Sequence, residues 1–66
     1  MAVAKVVEIN ATSNKSFEDA ISAGISKASE TVRDIRGAWV KEQQVIVEDG
    51  KISEYRVDLK VSFVLE

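Results

Sequence analysis

The sequence predicts an α+β fold of β-α-β-β order, in which a three-stranded antiparallel sheet carries one helix on one face. Three observations point there. The stretch from Gly37 to Leu65 alternates side-chain character with period two on both sides of Asp49-Gly50, which reads as a long half-buried hairpin. A central stretch beginning at Phe17 repeats apolar residues at three- and four-residue spacing, the pattern of an amphipathic helix. A shorter alternating stretch, Val3 to Ile9, precedes both.

The first strand is expected over Val3–Ile9. Val3, Val7 and Ile9 share one face with Lys5, and Ala4 and Val6 share the other with Glu8, so both faces are partly apolar. Asn10 to Lys15 is small and polar and reads as a loop. Ser16 then opens a helix as its N-cap, with Asp19 three residues on as a variant of the capping box. Glu18 and Asp19 also suit the positive end of the helix dipole.

The helix is expected from Phe17 to Asp34, with Phe17, Ile21, Ile25, Ala28, Val32 and Ile35 forming its apolar stripe. Gly24 lies inside it, where glycine costs about 1 kcal/mol against alanine. Such a residue points either to a close backbone approach, within the chain or between copies, or to simple drift. Arg36-Gly37 ends the helix, with Gly37 suited to a cap or to the entry of the next strand.

In the hairpin, Asp49-Gly50 calls for a two-residue type I′ turn, because both central positions need positive φ. Folding about it pairs Val47 with Ile52, Val45 with Glu54, Gln43 with Arg56, Lys41 with Asp58 and Trp39 with Lys60, all on one face. Tyr55, Val57, Leu59, Val61, Phe63 and Leu65 fall on the other, which is the expected core face. The first face would then hold Trp39, Val45, Val47 and Ile52 among charged residues. A sheet of three strands with one helix leaves that face in water, which points to a partner subunit or a ligand. Arg56 with Asp58 and Glu54 is expected to form an ion-pair network, Lys41 with Asp58 a cross-strand pair, and Trp39 with Lys60 a cation–π contact.

Composition narrows the function. Sixty-six residues make one small domain, 1–66, with a core too small to hold a fold unaided. There is no cysteine and no histidine, so disulfides, thiolate zinc sites and histidine-assisted catalysis fall away. Oligomerisation is the remaining route to stability. The net charge of -2 provides no basic patch for nucleic acid. No apolar run has membrane-spanning length and no signal peptide is visible, so a soluble cytoplasmic protein is expected. No acid–base pair or nucleophile emerges, and the chain reads as a non-enzyme.

The length, the element order and the run Lys5-Val-Val-Glu-Ile9, Thr12-Ser13, Ser16-Phe17, Ala28, Thr31-Val32, Trp39-Val40, Glu42-Gln43, Asp49-Gly50, Glu54-Tyr-Arg-Val57 and Lys60-Val-Ser-Phe63 resemble the dodecins over essentially the whole chain. The resemblance implies a hollow homododecamer in which each sheet wraps its own helix. It also implies a storage role in which flavin, FMN or riboflavin, is stacked in pairs between tryptophans, its ring edge bonded by a glutamine, and is not turned over. Carried over by position, the stacking tryptophan falls on Gly37 and the glutamine on Arg56. Trp39 lies two residues further on, on the same face and about 7 Å along the strand. The ligand-binding candidates are thus Trp39, Arg56, Gln43 and Gly37, and flavin binding is expected to be weak. The alternative is a flavin-free cage with a structural, interaction or divalent-cation role. Its metal ligands are not identified, although Glu48, Asp49 and Glu54 offer oxygens near the turn. Trp39 itself fits either a ligand contact or the filling of a subunit interface.

Overall fold

The computed structural model describes residues 3–65. Strand β1 (Val3–Ser13) leads into helix α1 (Phe17–Ala28), followed by β2 (Ile35–Glu48) and β3 (Lys51–Leu65). The sheet order is β1-β3-β2 with both pairings antiparallel, so the last strand is the central one. The helix packs on β1 and β3, and β2 is exposed along most of its length. Among the described residues, no helix is long and apolar enough to cross a membrane.

The core face of β3 is as expected. Val57, Leu59 and Val61 are buried with Ala20 of the helix, and Val7, Ile9, Ala11, Phe17, Ile21, Ile25 and Ile35 pack around them. Phe17 meets Tyr55 edge to face with ring centroids 5.2 Å apart, closing the helix's first turn onto the sheet. The open end of the row is Leu65, which is exposed.

Two element boundaries differ from the sequence reading. The first strand does not stop at Ile9. Asn10, Ala11, Thr12 and Ser13 continue it, pairing with Asp58, Val57, Arg56 and Tyr55. Small polar residues hold a strand here because β3 supplies their backbone partners and the helix needs close access. Ser13 is buried and organises the helix start. Its hydroxyl donates to the Asp19 carboxylate at 2.6 Å and accepts from the Lys15 amide at 2.9 Å. Ser16 caps the helix as expected, accepting from the Asp19 amide at 2.9 Å. The Asp19 carboxylate, however, turns to Ser13 instead of completing a capping box.

The helix ends at Ala28, well short of Asp34. Ser29 bonds back to the Ile25 carbonyl through both its amide, at 3.0 Å, and its hydroxyl, at 2.9 Å, and the Thr31 and Val32 amides both close on the Ala28 carbonyl. Serine followed by β-branched Thr31 and Val32 extends a helix poorly, and Asp34 takes positive φ, 58°, to redirect the chain. Ile35 therefore joins the core from the start of β2. The buried stripe of α1 is set by Ala20 and Gly24. A Cβ at Gly24 would stand 3.0 Å from the Ala11 Cβ and 3.3 Å from Leu59 Cδ1, which places the close approach within one chain. Gly37 is no cap; it lies inside β2 opposite Ser62.

The turn has the expected form, with φ of 53° at Asp49 and 76° at Gly50. The hairpin register holds at its ends, Val47 with Ile52 and Trp39 with Lys60, and slips by one between them. Ser53 is the extra residue on β3 near the turn, and its hydroxyl donates to the Ile46 carbonyl at 3.2 Å. Lys41 is the extra residue on β2, between Val40 and Glu42. Each bulge reverses the face of the residues beyond it, and the two compensate. In the middle, Val45 pairs with Tyr55, Gln43 with Val57, Gln44 with Arg56 and Glu42 with Asp58. The expected pairs Val45 with Glu54, Gln43 with Arg56 and Lys41 with Asp58 are not formed.

Candidate functional site

The face of the sheet away from α1 is built from three strands in register. Glu8, Lys60 and Trp39 form one row across β1, β3 and β2; Asn10, Asp58 and Glu42 form the next; Thr12, Arg56 and Gln44 the third. Strand pairing fixes these neighbours, since side chains directly opposite lie on one face about 5 Å apart.

Trp39 stands at the end of the first row, on the sheet's outer strand, and is 53% exposed. Lys60 opposite it does not lean on the indole but reaches Glu8, with Nζ 3.3 Å from Oε1. Lys41, freed by its bulge, spans the sheet to the same carboxylate and sits 3.5 Å from Oε2. Asp58 accepts from the Asn10 amide at 3.0 Å. The expected Arg56 network with Asp58 and Glu54 is thus replaced by one centred on Glu8 and Asp58. A hydrogen bond with Asp58 holds the Glu8 carboxyl below its ordinary range, helped by Lys60, while the same contact with Glu8 pushes Asp58 up, reinforced by partial burial.

Beyond this network, Asn10, Glu42, Gln43, Gln44, Arg56 and Asp58 border a polar groove of about 320 Å³. Of the sequence candidates, Arg56 and Gln43 both border this groove, yet Gln44 is the residue opposite Arg56. Gly37 lies one row beyond Trp39, opposite Ser62, whose hydroxyl donates to its carbonyl at 3.3 Å. Arg56 lies four residues along β3 from the partner of Trp39, about 13 Å away at strand spacing. Trp39 and Arg56 thus stand two rows apart on the same face of the sheet. Among the described residues, no group of three or more acidic side chains is arranged to hold a metal ion. Sequence reasoning missed Asn10, because it was read as loop, and Gln44, because the bulges were invisible; Glu8 was legible only as a strand residue.

The dodecin family model matches residues 3–66, nearly the whole chain. The chain belongs to the dodecin family. Among its relatives, the calcium dodecin of Mycobacterium tuberculosis is 45% identical over 64 residues, which is 96% of this chain and 89% of that one. The dodecin of Thermus thermophilus is 38% identical over 64 residues, 97% of this chain and 93% of its own. A crystal structure of an arginine-to-alanine variant of the Thermus dodecin superposes with a TM-score of 0.94 at 36% identity, covering 100% of this chain and 97% of that chain. The crystal structure of the mycobacterial calcium dodecin, described as calcium-chelating with a novel calcium-binding site, gives a TM-score of 0.83 at 43% identity, covering 97% and 91%. The β-α-β-β order and the antiparallel sheet with its helix are thus the dodecin fold.

Proposed function

We propose that this dodecin assembles as a homododecamer and holds a small planar ligand, foremost FMN or riboflavin, without transforming it. The observation that carries the reading is Trp39, a large aromatic side chain half in water on a strand whose two faces lack a covering element. An exposed indole flanked by polar rows supplies a stacking surface with directional partners beside it. Because Trp39 is exposed on the sheet's outer strand, the ligand lies between copies, stacked on Trp39 and edged by Arg56 and Gln44, with Gln43 bordering the groove. Arginine donates to a ring carbonyl but accepts nothing, so it replaces only half of what an amide does. Gly37 leaves the adjoining row without a side chain, and the indole has no second aromatic in the same strand to close the sandwich. Affinity is therefore in the micromolar range or weaker, about -8 kcal/mol or less favourable. Titrating FMN into the assembled protein is the test. Partial, weak quenching of flavin fluorescence, lost in Trp39→Ala, is expected; tight and complete quenching, or equal quenching by the variant, overturns the reading.

A second reading is supported by the mycobacterial relative named as a calcium dodecin. Here the cage would take a divalent cation at a site completed by more than one copy, since Glu8, Glu42 and Asp58 share one face. Calorimetric titration with calcium separates the two, because the cation reading requires heat that persists in Trp39→Ala.

A further inference from the structure

We propose that Asp49 is a site of spontaneous backbone isomerisation, in which attack by the Gly50 amide converts it to isoaspartate and loosens the hairpin tip as the protein ages. The chemistry balances without oxidant or cofactor. The Gly50 nitrogen bonds to the side-chain carboxyl carbon of Asp49, and its proton leaves with the carboxyl hydroxyl as water, closing a succinimide ring. Water then reopens the ring. Where it enters at the main-chain carbonyl, the original peptide bond breaks and the chain runs through the former side chain. The main chain is then one methylene longer at unchanged mass.

The structure singles out this position among the residues able to react, which are Asp19, Asp34, Asp49, Asp58, Asn10 and Asn14. Asp19 lies in the first turn of α1 with its carboxylate bonded to Ser13. Asp58 and Asn10 are paired strand residues bonded to each other. Asn14 is followed by Lys15, whose amide is engaged by the Ser13 hydroxyl at 2.9 Å. Asp34 has the same sign of φ as Asp49, 58° against 53°, but precedes branched Ile35, which packs on the core and shields its nitrogen. Asp49 precedes a glycine with open space around it, so no side chain crowds the attacking nitrogen. The bond of a two-residue turn joins its outer residues, which among the described residues leaves the Gly50 amide without an acceptor.

Ring closure needs Asp49 to rotate out of its turn conformation, so the tip must open. Glu48 with Lys51 and Val47 with Ile52 are all that pair there before the Ser53 bulge interrupts the ladder. Val47 is 56% and Ile52 52% exposed, so little apolar burial opposes the opening. Segments of this kind open locally at the least cost in free energy. Once formed, isoaspartate cannot rebuild the same two-residue turn, because its added methylene displaces the entry to β3. This chemistry is independent of whichever ligand the protein holds.

The test follows isoaspartate in the assembled protein during prolonged incubation at neutral pH and physiological temperature. A protein isoaspartate methyltransferase with a labelled methyl donor marks the product, and peptide fragmentation locates it. The label should accumulate at Asp49 several-fold faster than at the other five positions together. Asp49→Glu should take none there, because glutamate would have to close a larger ring. Deleting Ser53, which lets the ladder run unbroken to the turn, should slow the conversion several-fold. Equal or greater labelling at Asn14 or Asp34 overturns the proposal, as does an undiminished rate in a folded Ser53 deletion. So does an absence of label at Asp49 when the isolated peptide Val45–Glu54 converts under the same conditions.

Discussion

A methyl group added at Gly24 would meet the Ala11 Cβ at 3.0 Å, tighter than nine in ten real Cβ contacts, with Leu59 Cδ1 next at 3.3 Å. In an exposed helix, glycine to alanine would stabilise by about 1 kcal/mol. Here the neighbour is a short side chain on a paired strand, which cannot swing aside. Gly24→Ala is therefore expected to destabilise by about 1 kcal/mol, and Gly24→Val by about 2–3 kcal/mol. Adding Ala11→Gly should restore much of the loss, because it removes the atom in contact. Denaturant midpoints of the two single variants and the pair check this, and independent, additive losses would show that the contact is not the cause. The sequence showed that Gly24 needed a reason but not whether the partner was this chain or another. Only the placement of Ala11, on a strand that outlasts its alternating pattern, decides that.

At the scale of elements, features set by local chemistry were legible and those set by partners were not. The Ser16 cap, the Asp49-Gly50 turn and the buried row Val57, Leu59 and Val61 depend on residues within a few positions of one another. The end of the helix and the extension of β1 to Ser13 depend on what packs against them, and there the polar reading of Asn10 to Lys15 and the apolar spacing of Val32 and Ile35 misled. The hairpin shows the difference most clearly, since Trp39 faces Lys60 as expected while two compensating bulges shift Gln43 and Glu42 between them. The site inherits this split. Trp39 and its row could be read from alternation, whereas the Lys41 and Lys60 contacts with Glu8 need the register of a strand far away in sequence. The turn supports a further prediction. Gly50 has φ of 76° and open space around it, so Gly50→Ala loses only through backbone strain, about 1–2 kcal/mol. Gly37→Ala, with ordinary φ and Ser62 Oγ at 3.5 Å, should be nearly neutral. Equal denaturant midpoints for the two variants would contradict the turn assignment.

For the whole molecule, the chain is 51 Å long and only 19 by 13 Å across. Its accessible surface of 4888 Å² exceeds the roughly 4,200 Å² expected for a compact monomer of this mass. On β2 and the start of β3, which stand clear of the helix, Trp39, Val40, Val47 and Ile52 are each at least 40% exposed. Such a surface is expected to be covered by other copies, so the protein should run as a dodecamer by size exclusion with light scattering. Val40→Lys with Val47→Lys should shift the mass downward and lower the melting temperature together, because assembly and folding are linked. A monomer of undiminished thermal stability, in wild type or variant, would break that linkage.

The place of β3 in the middle of the sheet has a consequence for the order in which the chain can be built. It is the last of the four elements to leave the ribosome, yet both β1 and β2 pair with it and the helix packs on it. Until it emerges, β1 and the helix share only part of their contacts, and β2 has no strand to pair with. The hairpin can close at once about its turn, but β1 must then dock across pairings as distant as Val3 with Leu65, the kind of long-range closure that slows folding. During synthesis the unfinished chain therefore exposes the apolar stripe of its helix and an unpaired β2, and release of the last strand is the step that hides the helix stripe.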